Sequence, residues 1–262
     1  MGPINPASDR LSVSGLTLAY GKRTVQRDLS FSVRHGSVFA IMGGSGCGKS
    51  TVLKSMIGLL RPTAGTILID GEDYWAAAEE RRAQISRRFG IVFQSSALWS
   101  SMTVAENVAL PLQMFTPLSA DAIAVLVRLK LSLVGLRAAS GRMPADLSGG
   151  MRKRAGIARA LALDPDILFF DEPSAGLDPV TAKRLDDLIL ELRDGLGVTI
   201  VIVSHDLPSL FATCDDGIFL DADSGTAIAH GAPRTLRDGC DNPTVRAFMG
   251  RERLQDGRSM ET

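Results

Sequence analysis

The stretch Gly43-Gly44-Ser45-Gly46-Cys47-Gly48-Lys49-Ser50 decides the fold of this 262-residue chain. It matches the pattern G-x-x-x-x-G-K-[ST], whose glycines let successive backbone N–H groups turn toward one anion. The apolar run 37–42 before it is typical of a buried strand, and the run 51–57 after it is typical of a helix start. The sequence therefore predicts a phosphate-binding loop at a helix N-terminus, where the helix dipole favours negative charge.

Each residue type in this loop has a predicted role. Lys49 is expected to neutralise the β- and γ-phosphates of a nucleotide, and Ser50 is expected to offer its hydroxyl to Mg²⁺. Because N–H groups and Lys49 favour a thiolate, Cys47 is predicted to be a reactive thiol. The predicted nucleotide contacts are Gly43, Gly44, Ser45, Gly46, Cys47, Gly48, Lys49, Ser50 and Thr51. The alternative is a glycine-rich turn that carries a lysine by chance.

Carboxylates follow a second buried run, 167–170. Asp171 stands at the predicted carboxyl end of this strand, where open α/β sheets bind ligands, so it is expected to reach the magnesium shell. Glu172 is predicted to be the general base, a role worth about 10²–10⁴-fold in rate. A polar strand exit that caps the next segment is the alternative. His205 follows a third buried run, 198–203, and is predicted to donate a hydrogen bond to a γ-phosphate, or else to be a structural polar residue.

The apolar pattern changes along the chain. Apolar and polar residues alternate from about residue 11 to 40, which favours half-solvated antiparallel strands, and Asp70-Gly71 marks a turn after another strand. From about residue 95 to 163 the apolar spacing is helical, which predicts a helical subdomain inserted between two strands. We expect three regions: a flexible lead of residues 1–10, a domain of residues 11–250 and a short tail of residues 251–262.

Composition narrows the class of protein. The formal net charge is zero, so nothing global indicates nucleic acid as a partner. No apolar stretch approaches the roughly 18 residues that span a bilayer, so any membrane role is expected to come through a partner. Three cysteines without C-x-x-C spacing favour a reducing compartment. His35 and His230 are interpreted as surface loop residues.

A series of motifs in one order resembles those of ATP-binding-cassette (ABC) ATPases over about residues 11–250. Besides the phosphate loop and the Asp171-Glu172 pair, they are the adenine-stacking aromatic Tyr20, the Q-loop Gln94, the signature 147–151, the D-loop 174–178 and the switch His205. The resemblance implies an α/β P-loop NTPase fold with an antiparallel β subdomain and an inserted helical subdomain. It also implies ATP hydrolysis, with ATP and Mg²⁺ bound.

The resemblance further implies a head-to-tail homodimer with two ATP molecules, each held between the phosphate loop of one protomer and the signature of the other. Ser148, Gly149 and Gly150 would bind the γ-phosphate across the dimer, while Gln94 would contact Mg²⁺ and Asp178 the nucleotide. The residues alone are consistent with an anion site, because a Ser-Gly-Gly turn that enters a helix offers N–H groups and a dipole. A plain helix cap by Ser148 is the compatible alternative.

The signature departs from the common form, because Met151 stands where most members have Gln and is followed by the basic run 152–154. This run, together with the closing segment 242–249, resembles the ATPases of bacterial MCE-linked phospholipid transporters. That resemblance implies phospholipid transport between inner and outer membranes through a separate permease, with an MCE protein and often a STAS-domain protein. It implies a location on the cytoplasmic face of the inner membrane.

Rival functions differ from this one by sequence features. An ABC ATPase that acts on nucleic acid would carry paired cassettes or a long coiled-coil insertion, and a P-loop kinase would not need the signature. An importer ATPase for a small solute remains the alternative. Leu98, Trp99 and Met102, after the Q-loop, are predicted to line a groove for a permease helix or else to belong to the core of the helical subdomain.

Overall fold

The computed structural model describes residues 9–250. Within these residues the chain forms two compact units, one from residues 9–86 and 199–250 and the other from residues 87–198. The elements before residue 87 are β1 (Asp9–Tyr20), β2 (Arg23–Arg34), β3 (Val38–Gly43), α1 (Lys49–Met56), β4 (Ala64–Ile69), β5 (Glu72–Asp73) and α2 (Glu79–Ser86).

The predicted antiparallel strands are confirmed. They form a four-stranded sheet in the order β2-β1-β4-β5, and every neighbouring pair in it is antiparallel. The turn between β4 and β5 is at Asp70 and Gly71, which have φ values of 48° and 80°. Positive φ at both central residues is the geometry of a tight hairpin turn, as Asp-Gly predicts. β1 begins at Asp9, inside the predicted lead of residues 1–10.

The second unit carries the helices that the apolar spacing predicted after residue 95. Its elements are β6 (Phe89–Val92), α3 (Val104–Phe115), α4 (Ala120–Leu133), α5 (Gly149–Ala160), β7 (Ile167–Asp171) and α6 (Pro179–Leu196). Side chains cap the starts of these four helices, at Thr103, Ser119, Ser148 and Asp178. Each cap satisfies an N–H group that the helix leaves without a partner. β6 and β7 are parallel.

The chain then returns to the first unit with β8 (Thr199–Val203), α7 (Leu207–Thr213), β9 (Asp216–Asp221), β10 (Thr226–His230), α8 (Pro233–Gly239) and α9 (Pro243–Met249). β3 is fully buried between β8 and β9, to which it is parallel, and β10 is antiparallel to β9. α9 packs on this sheet, since the rings of Phe248 and Phe219 are 5.0 Å apart between centroids. Burial on both faces explains the continuous apolar runs of β3 and β8.

His230 was wrongly interpreted as a loop residue. It is the last residue of β10, and its Nε2 lies 3.3 Å from a carboxylate oxygen of Asp216. β10 has only five residues, and none of them is fully buried. Its short apolar pattern therefore does not indicate a strand in the sequence. In residues 9–250, none of the helices has the length and apolar character needed to cross a bilayer.

Candidate functional site

The phosphate loop connects β3 to α1, as predicted. Gly43 ends β3 with a φ of 142°, and a Cβ there would overlap the carbonyl oxygen of Leu220 on β9. Gly48 is the N-cap of α1 with a φ of 97°, and a Cβ there would lie 2.8 Å from Val25 Cγ1. Only glycine fits both the backbone and the space at these two positions. No side chain caps α1, so no side-chain oxygen competes with a ligand for its first N–H groups.

Lys49 is folded back against the loop it follows. Its Nζ donates hydrogen bonds of 2.9 Å to the main-chain oxygens of Gly43 and Gly44. The loop is also fixed from β2, because the buried Gln26 donates from Nε2 to the Cys47 main-chain oxygen at 2.5 Å. Gln26 carries no local sequence signal, because its partner lies 21 residues away along the chain.

The structure opposes the prediction of a reactive Cys47 thiol. Its side chain is 1% exposed and its Sγ lies 4.0 Å from Lys49 Nζ. Burial raises the pKa of the Cys47 thiol, and this outweighs the charge of Lys49, which lowers it. Cys47 therefore contributes its backbone to the loop, while its side chain packs beneath it.

The other predicted residues of the first unit lie at strand ends or in the loop. Tyr20 ends β1 and is 49% exposed, as an aromatic that stacks on a ligand must be. Ser45 and Ser50 are exposed, and Thr51 is half-buried on α1. His205 is exposed and follows β8, whose Val203 pairs with Ile41 of the parallel β3. The phosphate loop and His205 thus leave the same edge of the sheet.

In the second unit, Gln94 and Glu172 also leave a common edge, since Val92 of β6 pairs with Phe170 of β7. Glu172 has a φ of 49°, in the left-handed region that non-glycine residues seldom adopt. Asp171 is the last residue of β7, and both carboxylate residues are half-buried. The structure thus brings together three of the predicted catalytic and metal-binding residues.

A residue that the sequence did not single out lies among them. Lys153 of α5 is 5% exposed, and its Nζ donates to the main-chain oxygens of Gln94 at 2.6 Å and Glu172 at 3.1 Å. Burial lowers the pKa of Lys153, while the nearby charges of Glu172 and Asp171 oppose that shift. Lys153 and Gly156 are three residues apart, so they lie on one face of α5. This spacing is the sequence signal that could have indicated that Lys153 faces a packed segment.

Helix α5 also contacts the residues that follow Gln94. Arg159 donates to the main-chain oxygens of Ala97 at 2.6 Å and Ser96 at 3.0 Å. Ser96 and Ala97 have φ values of 63° and 46°. At Gly156 a Cβ would lie 3.2 Å from Ser96 Cβ, so glycine permits this close approach. Helix α5 and the turn after Gln94 are therefore one packed assembly.

α5 begins in the signature. Ser148 is its N-cap, and the Ser148 Oγ accepts a hydrogen bond from the Met151 N–H at 3.3 Å. Gly149 and Gly150 form the first turn, and a Cβ at Gly150 would lie 2.5 Å from Thr181 Cγ2. In the D-loop, Asp178 caps α6 by accepting from the Thr181 N–H at 3.0 Å. Hydrogen bonds from Thr181 lower the pKa of Asp178.

Trp99 is 59% exposed, which excludes the core alternative for this side chain. Its backbone is nonetheless fixed, because Asn107 accepts from the Trp99 N–H at 2.8 Å and donates to the Trp99 and Met102 oxygens at 3.1 Å. Leu98 and Met102 are half-buried beside it.

Comparisons with known proteins agree with this arrangement. The model of the ABC transporter family matches residues 26–175. The chain is 44% identical to the intermembrane phospholipid transport system ATP-binding protein MlaF of Escherichia coli (strain K12), over 87% of this chain and 84% of that protein. It is 39% identical to the probable ribonucleotide transport ATP-binding protein mkl of Mycobacterium tuberculosis (strain ATCC 25618 / H37Rv), over 95% of this chain and 68% of that protein.

Solved structures give the same result. The cbiO1 protein of Clostridium perfringens, part of an ABC transporter complex, superposes with a TM-score of 0.81 at 28% identity, over 97% of this chain and all of that one. The bacterial ABC transporter cassette MJ0796, solved as a dimer, superposes with a TM-score of 0.76 at 29% identity, over 84% of this chain and 97% of that one. The chain belongs to the ABC transporter family of ATP-binding proteins. It binds ATP and is an ATPase of the α/β cassette fold.

Proposed function

We propose that this ATPase energises phospholipid transport between the inner and outer membranes, through a separate permease. The observation that carries the proposal is the 44% identity to MlaF over 84% of that protein's length. The supporting local feature is Met151, which stands where most signatures have Gln, together with the basic run 152–154 that follows it. The chain would supply work from ATP and would have no activity toward lipid by itself.

The residues of the first unit are proposed to hold the nucleotide. Tyr20 would stack on the adenine, and the loop from Gly43 to Thr51 would surround the phosphates. Open space beside Gly44 and Gly46 supports this, because a Cβ built at either position meets no atom within 4 Å. Lys49 would exchange its two carbonyl partners for phosphate oxygens, a stronger charge-assisted contact.

The residues of the second unit are proposed to carry out hydrolysis. Glu172 would accept the proton of the attacking water as general base, and Gln94 would orient that water. His205 of the first unit would donate a hydrogen bond to the γ-phosphate. Ser148, Gly149, Gly150 and Asp178 would complete the nucleotide site of the opposite protomer in a homodimer. Dimeric MJ0796 supports that assembly.

Magnesium is proposed to be held by Ser50, Gln94 and Asp171. In residues 9–250 no group of three or more His, Cys, Asp or Glu side chains could hold a metal ion. The proposed donors fit Mg²⁺ all the same, because this ion takes one or two carboxylates and completes its shell with waters and substrate phosphates. When bound, Mg²⁺ neutralises charge that develops on the phosphates.

The proposed partners are a membrane permease, an MCE protein and a STAS-domain protein, with the ATPase on the cytoplasmic face of the inner membrane and no nucleic acid. The exposed Trp99, with Leu98 and Met102, is the proposed contact for a permease helix. Two observations support this contact. The large apolar side chain of Trp99 is exposed, and its backbone is held in place by hydrogen bonds to Asn107.

Deletion of the gene tests the lipid proposal. The deletion is expected to raise sensitivity of the outer membrane to detergent, the wild-type gene to restore resistance, and a Glu172→Gln gene to fail. Detergent resistance and surface phospholipid are the measurements. Unchanged resistance in the deletion strain would count against phospholipid as the substrate.

Small-solute import is the second candidate, because the mkl relative bears the name of a ribonucleotide transport protein. Its distinguishing result would be loss of uptake of one solute with normal detergent resistance. Neighbouring genes separate the two candidates independently: an MCE gene indicates lipid, and a periplasmic binding protein gene indicates a solute.

A further inference from the structure

Lys153 lies where three motifs of the second unit meet, and none of the roles proposed above uses it. Its ammonium group contacts the main-chain oxygens of Gln94 and Glu172, and the side chain is 5% exposed. A buried charge is costly unless it is paired or hydrogen-bonded. These two carbonyls and the carboxylates of Asp171 and Glu172 therefore hold the cation in place.

The partners of Lys153 are backbone atoms, so the contact fixes the path of the chain at Gln94 and Glu172. Glu172 has the unfavourable φ of 49°, which persists only where surrounding contacts hold it. A charged donor to the Glu172 carbonyl fixes the peptide plane at that residue, and with it the direction in which the carboxylate leaves the chain.

We propose that Lys153 is a positioning residue for ATP hydrolysis, which holds the backbones of Gln94 and Glu172 in the geometry that hydrolysis requires. The inference rests on the roles proposed above for Gln94 and Glu172. Because Lys153 is part of α5, which starts at Gly149 of the signature, it also joins the signature helix to both residues. A shift of that helix would move the two carbonyls together.

Lys130 provides a matched control. It is also a lysine of the second unit, is 3% exposed, and pairs with Asp164, which is not a motif residue. Lys153→Met and Lys130→Met remove the same buried cation and keep a side chain of similar length. A merely structural role for Lys153 would make the two variants behave alike.

The experiment measures kcat, ATP affinity and thermal unfolding for the full-length chain. Lys153→Met is expected to lower kcat about tenfold or more, part of the 10²–10⁴-fold that a positioned base contributes. Its ATP affinity is expected to stay within about threefold of wild type, because the partners of Lys153 are the backbones of Gln94 and Glu172, which are proposed to act in hydrolysis. Lys153→Arg, which keeps charge and donors, is expected to recover part of kcat. Lys130→Met is expected to keep kcat within about twofold despite lost stability.

A kcat for Lys153→Met equal to that of Lys130→Met would overturn the proposal. So would a parallel fall of kcat and ATP affinity in both variants in proportion to lost stability. If Lys153→Met does not fold, Lys153→Gln, which retains a hydrogen-bond donor, replaces it in the same measurements. Its kcat is then expected to fall while its ATP affinity stays near that of wild type. Glu172→Gln in the same assay separates the two proposals: a wild-type rate there removes the general base, whatever Lys153 does.

Discussion

Two glycine-rich helix starts in this chain use similar sequences for different ends. At α1 the N-cap is Gly48, with a φ of 97° and no capping side chain, so no side-chain oxygen competes with a ligand for the first N–H groups. At α5 the N-cap is Ser148, whose Oγ accepts a hydrogen bond from the Met151 N–H in the first turn of the helix. Of the two glycines that follow, Gly150 is required by packing, since a Cβ there would lie 2.5 Å from Thr181 Cγ2. Glycine therefore leaves room for an anion at the start of α1, whereas at the start of α5 it permits close packing against α6.

The two starts also differ in how they are supported. The phosphate loop is held from inside, by Lys49 on its own carbonyls and by Gln26 on the Cys47 carbonyl. The signature helix instead reaches outward, through Lys153 and Arg159, to the turn that follows Gln94. A change in the phosphate loop should therefore stay local, whereas a change in the signature helix should alter the hydrolytic residues.

The largest effect is expected from Lys49→Ala in the phosphate loop. Loss of charged contacts to the phosphates should weaken ATP binding by about 3 kcal/mol or more, roughly 100-fold. Lys54→Ala, which removes an exposed lysine of the same helix, is the control and should bind normally. Titration calorimetry with Mg-ATP measures both. If Lys49→Ala binds ATP as wild type does, the loop is not the phosphate site.

Gly150→Ala tests the packing role at the signature. The added methyl must displace Thr181, which should destabilise the second unit by about 1–3 kcal/mol. Gly149→Ala is the control, because its Cβ would lie 3.5 Å from Leu177, an ordinary contact. The double variant Gly150→Ala/Thr181→Ser, which lacks the clashing methyl, should recover stability. Chemical denaturation measures all three, and equal stability of the two alanine variants would refute the packing argument.

Cys47 tests whether the phosphate loop is as closed as the structure indicates. Its raised pKa and burial should make it react with iodoacetamide at least about tenfold more slowly than the half-buried Cys240. Peptide mass spectrometry of the labelled native chain gives the three rates. Fast labelling of Cys47 that Mg-ATP blocks would restore the reactive thiolate that the sequence suggested.

The sequence predicts what depends on local chemistry. The phosphate loop, the buried strands, the Asp70-Gly71 turn and the helices after residue 95 all follow from spacing and residue type, and the structure has them. The proposed roles of the site residues follow from family motifs and stay predictions. What local reasoning omits is contact between distant segments. Lys153 looks like part of a solvated basic run, yet its partner Gln94 is 59 residues away.

Two further features need the folded structure for the same reason. The left-handed backbone of Glu172 and the burial of Cys47 are visible only in the folded chain. At Cys47 the positive charge of Lys49 favours the thiolate, but desolvation by burial outweighs it and raises the pKa of the thiol. A motif indicates which chemistry is present, and packing then decides how each side chain takes part.

The smallest effect concerns the far end of β9, the strand that supports Gly43 through Leu220. There, the hydrogen bond with Asp216 raises the pKa of His230, against the effect of burial. Burial opposes ionisation of Asp216, yet hydrogen bonds from His230 and the Gly217 N–H lower its pKa. The charged pair is thus favoured in the folded state.

The pH dependence follows from these two directions. The His230 contribution is complete below its unfolded pKa of about 6.5 and is lost as pH rises through the higher folded pKa. The Asp216 contribution is present above its unfolded pKa of about 3.9 and is lost as pH falls through the lower folded pKa. The pair should stabilise most between about pH 4 and 6.5, by less than about 1 kcal/mol because both side chains are partly exposed.

His230→Gln should therefore lower the Tm more at pH 5.5 than at pH 8.5, while ATP affinity stays unchanged at both. Differential scanning calorimetry of both proteins at the two pH values measures the difference. The pair stabilises one end of β9, whereas the contact between Gly43 and Leu220 near the other end depends on backbone packing alone. A Tm difference that is the same at both pH values would mean that the pair is not charged in the folded chain, and a change in ATP affinity would mean that the loop depends on the whole of β9.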